Sequence, residues 1–262
     1  MTRWKRENAA MFRKTLIAGV ALTAGIFAHP RAASARDLDP DSQADNFAKV
    51  WLRLDADRVG VTAWAGSTLS AGSLNLAYNL LISQAYPGVV DPLQGARFSA
   101  EVGDDYRAPT ARLELGPAFS SGGLFLLPKV GLGFDFERKK LGPLVPQLMT
   151  ILEGGPLYVE SWAQFYLYDL FYKGSQDSFY TRDLLLVAID NTWAVGPQVE
   201  LTVAMHNSPG KALRSLPLGA AVNLNPVEPL TLGLFLGYEF EESARNSKHD
   251  FVAGRLTATL LW

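Results

Sequence analysis

The last twelve residues, FVAGRLTATLLW at 251–262, change chemistry with a period of two. One face carries Val252, Gly254, Leu256, Ala258, Leu260 and Trp262, and the other carries Phe251, Ala253, Arg255, Thr257, Thr259 and Leu261. The first face has a single hydrogen-bonding group, the Trp262 indole; the second holds one charge and two hydroxyls. Successive side chains of a strand point to opposite sides, so this stretch is a strand with one apolar and one polar face. Its length and its terminal aromatic suit a strand that crosses a bilayer, with apolar atoms towards lipid, polar atoms towards a lumen and a ring at the interface.

The same period recurs upstream. Leu74, Leu76, Tyr78, Leu80 and Ile82 alternate with polar or small residues, as do Leu124, Leu126, Val130, Leu132, Phe134 and Phe136, and Leu230, Leu232, Leu234, Leu236, Tyr238 and Phe240. Short Gly- or Pro-rich turns at 120–123, 153–156 and 225–229 exchange with longer polar connections at 172–183, 207–215 and 241–250. Counting back from the C-terminus gives eleven strands, near 249–262, 229–241, 215–225, 196–207, 180–191, 156–171, 144–153, 123–138, 109–119, 95–106 and 73–84. The stretch 47–66 supplies the twelfth as one long bulged strand, or a hairpin turning at Ala56, Asp57 and Arg58; an even number keeps both termini on one side. The strand at 144–153 alternates least well. A soluble sandwich would also alternate, but its strands average roughly five to six residues, and several here run to a dozen.

The first 35 residues are an export signal. Arg3, Lys5, Arg6, Arg13 and Lys14 form a basic head, 15–28 is an apolar run too short to span as a helix, and Ala33-Ser34-Ala35 is a small-x-small cleavage pattern. The start is Met1 or Met11. Residues 36–46 read as a disordered periplasmic lead-in, and 47–262 as one domain. Removing 1–35 takes away six of 24 Lys/Arg and one of 26 Asp/Glu, leaving a net charge of −7, which argues against nucleic acid as a partner. With no cysteine there is neither a disulfide framework nor thiolate chemistry.

The signal, the alternation and the terminal aromatic together resemble bacterial outer-membrane β-barrel proteins. The resemblance is architectural and names no subfamily. It implies an all-β fold, a transmembrane antiparallel β-barrel of about twelve strands, in the outer membrane of a Gram-negative bacterium. It implies surrounding lipid, and a barrel-insertion machinery that reads the C-terminal strand and Trp262.

Three sets of residues could carry function. His206-Asn207-Ser208 resembles the H-x-S core of outer-membrane lipid hydrolases, where the His is general base and the Ser nucleophile. Two features depart from that pattern: parity puts His206 on the lumen face, and Pro209 follows the Ser where Asn is common. The second set is one face of 157–168: Tyr158, Glu160, Trp162, Gln164, Tyr166 and Tyr168. A lipid-facing carboxylate is costly, so this face turns inward as an aromatic, hydrogen-bonding strip that can hold a small solute. The third is the inward charges Arg53, Arg97, Glu101, Arg112, Glu114, Lys129, Asp135, Glu137, Arg182, Asp190, Glu200, Glu239 and Arg255, whose mixed signs argue against strong ion selectivity.

No metal-ligand spacing appears, and no cofactor is expected. The resulting expectation is a non-catalytic channel or binding barrel for a small solute, with Tyr158, Glu160, Trp162, Tyr166, Arg97, Glu101 and Lys129 lining it. The alternatives are a lipid hydrolase using His206 and Ser208, and a structural barrel with a plugged interior.

Overall fold

The computed structural model describes residues 50–57, 60–71, 74–85, 110–136, 139–206, 211–245 and 251–261. The expected signal at 1–35, the lead-in at 36–46, a strand at 95–106 and Trp262 lie outside the described residues.

Twelve strands follow in chain order. They are β1 (Val50–Asp57), β2 (Gly60–Ala71), β3 (Leu74–Ala85), β4 (Thr110–Pro117), β5 (Leu124–Asp135) and β6 (Lys140–Gly154), then β7 (Leu157–Tyr166), β8 (Asp177–Ala188), β9 (Trp193–His206), β10 (Pro217–Val227), β11 (Leu230–Glu239) and β12 (Val252–Leu261). A short segment, Phe119–Ser121, prolongs β4, and another, Leu213–Ser215, leads into β10. Each strand pairs antiparallel with the next, and β12 pairs with β1 from Trp51↔Leu261 to Asp57↔Arg255. The ring is therefore closed and presents no unpaired edge, as a spanning sheet requires.

The strand number agrees with the sequence expectation, but its partition differs. Residues expected to form one bulged strand over 47–66 form the hairpin β1–β2 instead. Its turn is held by Asp57, whose Oδ1 accepts the Gly60 N–H at 3.0 Å. Further on, β3 pairs directly with β4, from Leu76↔Pro117 to Ser83↔Thr110, so the ring closes without a strand from 95–106. The least regular expected strand, 144–153, belongs to the longest one, the 15-residue β6. Its alternation is blurred because Val145 and Met149 face inward yet are apolar, with Met149 packed on Trp64, Leu81 and Trp162.

Connections at the two ends differ in length. At the end that holds Val50 and Leu261 they span only 72–73, 122–123, 155–156, 189–192 and 228–229. At the other end they include 86–109, 167–176 and 240–251. The turn at 122–123 uses two glycines with φ of 58° and 82°, a backbone region L side chains disfavour, and the Gly123 carbonyl accepts the Glu153 N–H at 2.9 Å.

The outer wall is apolar on every strand. Leu69, Leu113, Leu115, Val130, Leu148, Leu185, Leu218, Leu234, Leu236, Val252 and Leu256 are all exposed there. A continuous exposed apolar belt of this kind has the chemistry of the outer face of a transmembrane barrel. Rings cluster at the long-loop end, where Tyr238 lies 4.9 Å from Phe240 and 5.5 Å from Phe251, and Phe165 lies 4.9 Å from Phe179.

One carboxylate breaks the outer belt. Asp183 of β8 points outward between Phe179 and Val187, roughly 10 Å along the wall from each. It is made tolerable locally: Ser161 donates to Oδ1 at 2.5 Å and Thr181 to Oδ2 at 2.9 Å. Asp183→Arg is expected to destabilise the barrel in lipid vesicles by roughly 2–4 kcal/mol, whereas Asp183→Asn stays near neutral. Denaturant titration of the refolded variants measures both. An unchanged Asp183→Arg would mean that this part of the wall does not face hydrocarbon.

Candidate functional site

Inward-facing residues follow from register. Arg53 sits opposite Trp64, Gly66 opposite Asn79, and Asn79 opposite Glu114. Glu114 faces Gly131, Lys129 faces Gln147, and Gln147 faces Gln164. Glu160 faces Leu184, Arg182 faces Glu200, and Arg255 faces Phe235 on one side and Asp57 on the other. The polar face of every strand thus lines one interior, the alternation of a transmembrane barrel.

That interior is packed at mid-height. Glu114, Lys129, Trp64, Trp162, Gln164, Glu160, Arg182 and Glu200 are each at most 7% exposed. Two ionic clusters fill it. In the first, Glu114 accepts Arg112 Nε at 2.8 Å, Lys129 Nζ at 3.0 Å and Asn79 Nδ2 at 2.9 Å. Arg112 Nη1 then reaches the Tyr166 hydroxyl at 3.0 Å. Trp162 donates its indole N–H to Gln147 Oε1 at 2.7 Å, and the Gln164 amide lies 3.0 Å from the same oxygen.

The second cluster centres on Glu160 and Glu200. Glu160 accepts Arg182 and the Tyr158 hydroxyl, the latter at 2.7 Å, and lies 3.7 Å from Arg53 Nη1. Arg53 also pairs with Asp55 at 3.0 Å, and Asp55 accepts Thr257 at 2.5 Å. Glu200 takes Arg255 through two nitrogens, at 2.9 and 3.2 Å, and the Tyr180 hydroxyl at 3.1 Å. Each buried carboxylate described here has cationic and hydroxyl or amide partners, which is what permits burial at all.

Between the clusters, the walls meet across the lumen. Trp64 of β2 stacks on Trp162 of β7 with centroids 4.6 Å apart and planes 12° from parallel. The Arg53 guanidinium lies over Trp64 at 4.8 Å and that of Arg182 over Trp162 at 5.5 Å. Leu81 and Met149 pack around the pair. In a ring of twelve strands β2 and β7 are five steps apart, nearly opposite, so this contact is a constriction.

The structure brings Tyr158, Glu160, Trp162, Tyr166 and Lys129 to the interior, as their parity requires. Arg97, Glu101 and Glu137 lie outside the described residues. Asp190 is not an inward charge: it sits in the turn 189–192 and accepts the N–H groups of Thr192 and Trp193 at 2.7 and 2.8 Å. His206 ends β9, and Ser208 lies outside the described residues. Trp64, Gln147 and Asn79 belong to the site without having been singled out from the sequence. Trp64 could have been found: Thr62, Trp64 and Gly66 alternate with Val61, Ala63 and Ala65 once the hairpin replaces a bulged strand.

No protein-family model matches the sequence, and no curated protein matches it. Among solved structures the chain is similar to a protein from work on in-meso crystallization of membrane proteins, at 10% identity and TM-score 0.50 over 82% of this chain and 83% of that one. It is also similar to the NanC porin, at 6% identity and TM-score 0.48 over 82% and 98% of the two chains. A third is the COG4313 outer membrane channel from Pseudomonas putida F1, at 10% identity and TM-score 0.46 over 82% and 94%. At these identities the likeness is one of fold.

Proposed function

We propose that this chain is a narrow channel for a small polar solute in the outer membrane, non-catalytic, with its selectivity set at the Trp64–Trp162 level. The supporting observation is the contrast between the two faces of one closed ring. The outer face is apolar, and the inner face carries balanced ion pairs, amides and indoles that a passing solute can replace as partners. A barrel serving only as a structural wall has no need of charges inside it, since well-packed apolar residues would be equally stable or more so. On this reading lipid covers the outer belt, the long-loop end faces outward, and β12 is the strand the insertion machinery reads, with Trp262 as its terminal signal.

The constriction predicts small conductance. Refolded mature protein in a planar bilayer is expected to show brief, low-amplitude openings with little preference between cations and anions, because the interior carries paired charges of both signs. Silence from correctly folded protein, checked by its β-sheet circular dichroism and heat-modifiable gel mobility, would reject the channel.

A further inference from the structure

The geometry points to the solute's chemistry: the Trp64–Trp162 stack is a closed slot for a flat, uncharged ring that carries a carbonyl oxygen. This deepens the channel reading and rests on it for the solute's passage.

The flatness comes from the two indoles. Their near-parallel planes, at 12°, leave room for nothing between them as they stand. Admitting one ring needs a separation of about 3.5 Å more, the contact distance of stacked carbon atoms. The fold can supply that movement without breaking a strand ladder. A round ring of twelve strands at the usual spacing and tilt is about 24 Å across. The two side chains bridge β2 to β7 only because the section is narrower there. Rounding it draws β2 from β7 while every interstrand pairing is kept. The charged contact that must then part is Arg53–Glu160, at 3.7 Å the loosest of the second cluster.

The carbonyl comes from orphan donors. The indole N–H of Trp64, Nε of Arg182 and Nε2 of Gln147, the residue that accepts the Trp162 indole, are buried and have no hydrogen-bond partner, on residues 4%, 2% and 6% exposed. Buried donors are satisfied in most sites, so donors left open beside two stacked rings call for an acceptor. Asn79 Oδ1 is also unpartnered, but it packs on the backbone of Gly66, within 1.9 Å of where a Cβ would stand, and so does not serve the slot. The slot therefore wants acceptors from its solute rather than donors, which disfavours a polyhydroxylated ring.

Neutrality comes from the charges already in place. Arg53 is matched by Asp55, and Arg182 by Glu160. A charged solute would add an unmatched buried charge, which is costly where a neutral carbonyl is not.

Three probes separate these features: benzamide is flat, neutral and carries a carbonyl; cyclohexanecarboxamide keeps the amide but loses the flat ring; benzoate keeps the ring but adds a charge. Tryptophan fluorescence of the refolded full-length mature chain is expected to change saturably with benzamide. Apparent affinity should fall about tenfold or more in Trp64→Leu, as loss of one stacking face implies. Trp162→Phe, which retains a ring, should lose less and covers the event that Trp64→Leu does not fold. A linear, non-saturating response, an equal response to cyclohexanecarboxamide, or tighter binding of benzoate would each overturn the assignment. Conductance is read separately in a bilayer. Openings without saturable benzamide binding reject the slot and leave the channel; binding without openings rejects the channel.

Discussion

Glu114→Leu is expected to cost the folded barrel about 3–5 kcal/mol, the largest single loss among the interior charges. Glu114 is fully buried and takes three donors at once, Arg112, Lys129 and Asn79. Removing it strands Lys129, itself 3% exposed, whose ammonium donates to Glu114, and leaves Arg112 with the Tyr166 hydroxyl. The double variant Glu114→Leu/Lys129→Met should be more stable than Glu114→Leu alone, because it removes the stranded charge together with its partner. Denaturant midpoints in lipid vesicles decide the matter. A loss below about 1 kcal/mol would mean that both cations reach water when Glu114 is gone, and that the interior is wet rather than packed.

The outer half of this fold was legible because lipid imposes a rule that acts locally. Each outward position must be apolar, so Leu230, Leu232, Leu234 and Leu236 announce β11 without reference to any other strand. Strand existence and inward parity for Tyr158, Glu160 and Trp162 came from that same rule. It failed where the inner face is apolar too, as at Val145 and Met149 of β6, and where one continuous alternation serves two paired strands, as in β1 and β2. Asp183 shows its other limit. The parity of β8 puts this carboxylate outward, and only the neighbouring hydroxyls of Ser161 and Thr181 make the position tolerable.

The inner half was legible only as a list of faces. Which inward residue meets which across the lumen depends on ring closure and register, which alternation does not carry. Arg112 with Tyr166, Arg255 with Glu200 and Trp64 with Trp162 each join strands that are not neighbours. Mixed inward charges could line open water or fill a packed interior. Their pairing distances, and the burial of Glu114, Gln164 and Arg182, decide for packing at this level.

Trp162→Ala is expected to raise single-channel conductance several-fold, because it deletes half of a ring stack that joins nearly opposite walls of the lumen. Trp64→Ala should do nearly the same, and the double variant should add little to either, since both indoles belong to a single stack. The stability loss should be smaller than the 3–5 kcal/mol, roughly, of a large aromatic truncated in a dry core, because water can enter from the lumen and hydrate Gln147, which loses the indole N–H. Glu160→Gln provides the contrast. It loosens Arg53 and Arg182 but leaves the rings stacked, so it should shift anion–cation preference towards anions more than it raises conductance. Unchanged conductance in Trp162→Ala, with the protein folded, would move the constriction to the Glu114–Lys129 cluster. That cluster would then be the level at which a solute is chosen, by charge rather than by ring shape.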